Sequence, residues 1–195
     1  MLDQSKEYSV PKRVIFFAML SLFFMLSVCT AQTPSKVLTQ SLLDRFVMDL
    51  SPIMSDPVVA AARDTTTQTV LMEAITNPAS GIMMGENFFT DFYHMQKAIF
   101  GEMKTHSDVN AALKKQNWNN EFWDIYLVMA IGLPYAHNQE ILDNPELADS
   151  TSGFDMSEMP PSENFIHPDD MALIRKNYGH ITDLIGEEIS RNNGY

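Results

Sequence analysis

Residues 121–134, Glu121-Phe-Trp-Asp-Ile-Tyr-Leu-Val-Met-Ala-Ile-Gly-Leu-Pro134, are apolar on nearly every side of a helical wheel. A surface helix needs only one apolar stripe, so this pattern predicts a helix enclosed by neighbours. The run is too short to span hydrocarbon and carries Asp124 near its start, which points to protein packed around it and not to lipid. Gly132-Leu133-Pro134 predicts a kink or a stop.

Working outward, the flanking segments supply that enclosure. Val37, Leu38, Leu42, Phe46, Leu50, Ile53 and Met54 fall on one side of a first helix beginning after Pro34-Ser35, with a bend expected at Pro52. Asp56-Pro57 reads as a restart: the carboxylate can accept from free backbone N–H groups, and proline at the first helical position gives up nothing. One or two turns over 58–63 are predicted, then a separate helix from Thr66 to Thr76 with Val70, Leu71, Ala74 and Ile75 inward, ended by Asn77-Pro78. Residues 78–85 read as a loop.

Glu86 to Lys104 places Phe88, Phe92, Met95, Ile99 and Met103 on one stripe, with Phe89 and Phe100 beside it. Ser107 or Asp108 caps a short helix to Gln116, and Asn117-Trp118-Asn119-Asn120 turns the chain into the central apolar run. After that run, residues 143–166 hold Pro145, Gly153, Pro160, Pro161 and many acids and predict a long acidic loop. Pro168-Asp169-Asp170 opens the last helix, where Met171, Ile174, Tyr178, Ile181, Ile185 and Ile189 alternate by three and four. No segment alternates with period two. The fold class is all-α: a single helical bundle of about five to seven helices after an N-terminal signal helix.

That N-terminal element is Lys12-Arg13, an apolar run from Val14 to Val28, and Cys29-Thr30-Ala31 before a polar stretch. The run is shorter than the roughly 20 residues that cross a bilayer comfortably, so residues 1–31 read as an export signal cut after Ala31. Two alternatives stay open, an uncleaved anchor and a lipoprotein signal in which Cys29 is acylated and kept. Val28 disfavours the second, because the residue before a lipidated cysteine is ordinarily small. All three put residues 32–195 outside the cytoplasm, and the expected location is the periplasm, with a membrane-anchored lipoprotein as the alternative. Neither a disulfide framework nor an Asn-x-Ser/Thr sequon is present, because Cys29 is the only cysteine and no asparagine has the required spacing.

The full chain carries a net charge of −12, and losing residues 1–31 leaves 10 basic and 23 acidic residues. Such a body repels phosphate backbones and anionic lipid, which excludes nucleic acid as a partner and leaves membrane contact only to an uncleaved signal or a lipidated Cys29. The acidity also serves plain solubility. Between Lys115 and Arg175 lie 59 residues with 11 acids and no lysine or arginine. Asp149-Ser-Thr-Ser-Gly153-Phe-Asp155 nonetheless fails as a calcium loop, since its glycine is one position early and no Glu follows at the twelfth.

Signatures of catalysis fail in turn: there is no Gly-x-Ser-x-Gly, no phosphate loop, no dinucleotide fingerprint and no thiol nucleophile outside the signal. The five histidines at 94, 106, 137, 167 and 180 include no pair at helical spacing. His180, Asp183 and Glu187 are the one set whose spacing of three and four could hold a cation, against a plainer role as solvated residues opposite the isoleucine stripe. Methionines at apolar positions, and the aromatics at 88, 89, 92, 93, 122, 123 and 126, fit core packing. Among the aromatics, Phe92, Trp123 and Tyr126 are the candidates to line an apolar cavity.

The sequence therefore implies no cofactor. It suggests an exported, non-catalytic helical protein that binds a partner protein or a small apolar ligand in the periplasm, the alternative being a periplasmic hydrolase or metal-dependent enzyme without a sequence signature. The expectation for the N-terminus is checked by the intact mass of the exported protein: it should start at Gln32 without added lipid, and a retained, acylated Cys29 would overturn simple cleavage.

Overall fold

The structure is a computed structural model that describes residues 34–82, 87–144 and 159–192, with side chains described up to residue 184. The segment read as a signal (with Cys29), the Met83-Met84 pair, Glu187 and most of the stretch expected as an acidic loop (145–158) lie outside the described residues or side chains. Six helices and no strand occur among the described residues: α1 (Gln40–Met54), α2 (Pro57–Thr76), α3 (Phe88–Met103), α4 (Ser107–Lys115), α5 (Glu121–Asp143) and α6 (Pro168–Asn192). They form an all-α helical bundle.

The 23-residue helix α5 contains the apolar run and packs against α1, α3 and α6. Phe122, Trp123, Ile125 and Ile131 on it are fully buried. The kink or stop expected at Gly132-Leu133-Pro134 does not end the helix, which continues to Asp143. Gly132 has a packing role instead. A methyl group there would collide with Ile174 Cδ1 and meet Ile166 Cδ1 at 3.3 Å, so the missing side chain lets α6 and the segment before it close on α5.

Local capping explains most helix starts. Thr39 accepts from the N–H of Leu42 at 3.3 Å to open α1. Asp56 Oδ1 accepts from Val58 and Val59 at 2.9 and 3.4 Å, with Pro57 first in α2, and Asn87 Oδ1 does the same for Phe89 and Thr90 at 2.8 and 3.4 Å in α3. For α4 the cap position is His106, not Ser107 or Asp108, which are already helical. Its imidazole makes no capping bond and meets the buried Thr66 Oγ1 through Nε2 at 3.2 Å.

Two expected helices, 58–63 and Thr66–Thr76, are one continuous helix of 20 residues, because nothing in Asp64-Thr65 breaks the backbone ladder. Its buried stripe is Val59, Thr66, Val70 and Ala74, turned toward α3 and α4. Leu71 and Ile75, expected inward, point about 100° away from that stripe and are exposed. A similar rotation affects α3. There Phe89, Ile99, Phe100 and Met103 are buried while Phe88 is 65 % exposed, because the aromatics of α5 receive Phe89 and Phe100: Phe89 meets Tyr135 at 4.9 Å and Phe100 stacks on Trp123 at 5.8 Å.

The chain before α1 is extended, and its anchor is Asp170. This carboxylate, fully buried in the first turn of α6, accepts from the N–H groups of Val37 at 2.7 Å and Leu38 at 2.9 Å. Beside it the ammonium of Lys36 donates to Asp169 at 2.9 Å, a bond that holds the Asp169 carboxyl below its ordinary range and raises the lysine. His167 Nδ1 accepts from the N–H of Asp169 at 3.1 Å, completing the helix start. The N-terminal lead is thereby tied to the last helix, and Leu38 is pressed into the core.

Asp170→Ala should lower the unfolding free energy by about 2–4 kcal/mol, since it strips the acceptor from two backbone N–H groups. Lys36→Ala, which removes an exposed ion pair, should cost far less. Urea denaturation of both variants checks the contrast, and equal losses would contradict the assigned role of Asp170.

Candidate functional site

Where α1 and α5 lean apart, the molecule has an open groove of about 250 Å³ lined by Phe46, Val47 and Leu50 from α1 and by Tyr126, Met129, Ala130 and Leu133 from α5. The i, i+4 spacing on α1 and the i, i+3, i+4, i+7 spacing on α5 put each set on one helix face. The walls are firm. Phe46 is nearly sealed and packs on Phe122 at 5.2 Å and edge-on to Tyr126 at 6.0 Å, while Tyr126 also meets Phe100 at 4.7 Å.

The lining side chains are apolar apart from the Tyr126 hydroxyl. Burial pushes the Tyr126 phenol above its ordinary value of 10.0, with the Arg63 charge pulling part of the way back. The groove can thus take apolar surface. It offers no arrangement of nucleophile, base and oxyanion donors.

Of the residues that sequence points to, Tyr126 lines this groove. Trp123 is fully buried behind it, 6.2 Å from the Tyr126 ring, and its indole N–H has no hydrogen-bond partner among the described residues. Phe92 sits elsewhere, against Phe88 and Phe89 at 6.4 Å each, beside a second aromatic group in which Phe165 meets Phe89 at 5.7 Å and Tyr93 at 4.7 Å. That group is tied down by Tyr135, whose hydroxyl donates to the Pro160 carbonyl at 2.5 Å, and burial raises the Tyr135 phenol far above its ordinary range.

His180 and Asp183 are exposed on α6, and the side chain of Glu187 lies outside the described ones. No group of three or more His, Cys, Asp or Glu side chains among the described residues is placed to hold a metal ion. No helix among the described residues is long and apolar enough to cross a membrane. The α1 half of the groove was missed by sequence reasoning, although Phe46 and Leu50 lie on the predicted apolar stripe of that helix. The stripe does not say which of its members a neighbour leaves uncovered.

Compared with protein-family models, with curated proteins and with solved structures, the chain matches none.

Tyr93, Tyr126, Tyr135 and Tyr178 all have phenols raised, chiefly by burial. The folded state therefore holds these protons more tightly than the unfolded chain does. Their stabilising contribution is complete below the unfolded value of 10.0 and is lost as pH rises through the folded values. Urea midpoints should be flat up to about pH 9 and fall beyond about pH 10. Tyr126→Phe should make that alkaline fall shallower, and an unchanged fall would exclude Tyr126 as a contributor.

Proposed function

We propose that this chain is an exported, non-catalytic binding protein of the periplasm that holds a small apolar ligand in the groove between α1 and α5. The observation that carries this reading is the open, firm-walled groove with aliphatic and aromatic lining. Its size sets the ligand. A cavity of about 150 Å³ takes a benzene and drug-sized sites begin near about 300 Å³, so a groove of about 250 Å³ suits one ring system or a short branched chain.

The export signal over residues 1–31 supports a periplasmic setting, in which such a protein would meet apolar molecules crossing the envelope. A net charge of −12 supports a neutral ligand over an anionic one and keeps the carrier soluble. The reading does not require catalysis, because the groove lacks paired titratable groups.

The test is a fluorescence titration with the neutral apolar probe N-phenylnaphthylamine on the purified full chain. Saturable binding is expected, weakened at least tenfold by Ala130→Trp, which fills the groove from α5, and by Val47→Trp, which fills it from α1. Absence of saturable binding, or binding unaffected by both variants when circular dichroism shows them folded, overturns the proposal.

A further inference from the structure

A second cleft, polar where the first is apolar, lies at the turn between α4 and α5. Asn110 and Lys114, one turn apart on α4, line it together with Asn119 and Asn120 from the turn, around an open space of about 250 Å³. The turn is built rigidly. Asn117 adopts a left-handed φ of 61° and its N–H donates to the Lys114 carbonyl at 3.0 Å, while Trp118 N–H donates to the Leu113 carbonyl at 2.9 Å, the paired closure of a Schellman motif.

The indole of Trp118 is buried and donates to Asp49 at 2.8 Å, the guanidinium of Arg45 lies 4.0 Å over its ring, and Arg45 donates to the carbonyls of Gln116 and Asn117 at 3.2 and 2.8 Å. Helix α1 thus clamps the turn, so the cleft is in place before any ligand arrives.

Hydrogen bonds also orient the amides. The Nδ2 groups of Asn110 and Asn120 both donate to the Lys104 carbonyl, at 2.9 and 3.4 Å, and Asn119 Oδ1 accepts from the N–H of Glu121 at 2.7 Å. Asn110 Oδ1 is buried behind the wall and has no hydrogen-bond partner among the described residues. What a ligand can reach is the Asn120 Oδ1 acceptor, the Asn119 Nδ2 donor and the Lys114 ammonium.

We propose that this cleft binds a neutral polyhydroxyl molecule of hexose size. Hydroxyl groups donate and accept at once, which matches a wall that alternates amide acceptors with amide and ammonium donors. No carboxylate lines the cleft, so it is not a cation site. An anion would approach a chain of net charge −12 with only Lys114 to draw it, whereas a polyol meets no such barrier. The volume exceeds that of a benzene-sized cavity and stays below that of a drug-sized one, which is right for one six-membered sugar ring.

Titration of the full chain with glucose, followed by the side-chain amide resonances of the asparagines in ¹⁵N NMR, tests this, with acetate as the anionic probe. Saturable shifts confined to the α4–α5 turn are expected with glucose. Asn119→Ala and Asn120→Ala should each weaken glucose binding at least tenfold, while Lys114→Gln should weaken it no more than about threefold. An unchanged circular dichroism spectrum shows that each variant is folded. No saturable shift with glucose, or tighter binding of acetate that disappears in Lys114→Gln, overturns the proposal.

Discussion

A helix that carries apolar side chains around most of its circumference must be covered on several sides, and α5 imposes that demand on the rest of the chain. Phe122, Trp123, Ile125 and Ile131 are fully buried on it, and α1, α3 and α6 are the helices that bury them. Each large side chain removed from water on α5 contributes about 1.5–3 kcal/mol. No disulfide shares that task, since the single cysteine lies at position 29. Packing must be close, and Gly132 marks where it is closest, with Ile174 and Ile166 occupying the space a larger residue would need.

The ends of the chain are brought into register by a polar device set into this apolar frame. Asp170 sits at the positive end of α6, where the helix dipole favours its charge, and it spends both oxygens on the N–H groups of Val37 and Leu38. A buried carboxylate is retained without penalty only when its oxygens are satisfied in this way. The extended lead before α1 therefore gains a fixed path, and Leu38 enters the core beneath it.

The two clefts follow from the same construction by different routes. The apolar groove lies between α1 and α5, where Leu50, Tyr126 and Leu133 stay partly uncovered against the buried Phe46. The polar cleft exists because the chain reverses sharply after α4 and must satisfy the carbonyl of Lys104 at the end of α3 with amides from Asn110 and Asn120. Phe46 against Tyr126 forms a wall of the groove, and Arg45 over Trp118 braces the turn that carries the polar cleft. Rigid walls are what allow shallow sites to discriminate between ligands.

Sequence by itself determined the class of the fold, the enclosure of α5, the proline and asparagine punctuation at Asp56-Pro57 and Asn77-Pro78, and the stripe of Met171, Ile174 and Ile181 on α6. Each of these is set by local periodicity or by a cap within a few residues, so neighbours in the chain carry the whole signal. It misjudged Leu71, Ile75 and Phe88 as inward and expected a break near Asp64. An apolar residue near the edge of a stripe is buried or exposed according to the helix that packs there, and a proline in a sheathed helix need not end it when the surrounding core holds the helix on both sides. Tyr126 was legible as a member of an apolar site, while its partners Phe46, Val47 and Leu50, the clamp at Asp170 and the amide cleft were decided only by the tertiary structure. The amide cleft spans only residues 104–120, but its shape is set by the side-chain hydrogen bonds that close its turn. Asp170 meets Val37 across 133 positions and Trp118 meets Asp49 across 69, and no local pattern of charge or hydrophobicity encodes which distant backbone N–H groups or helix faces will meet.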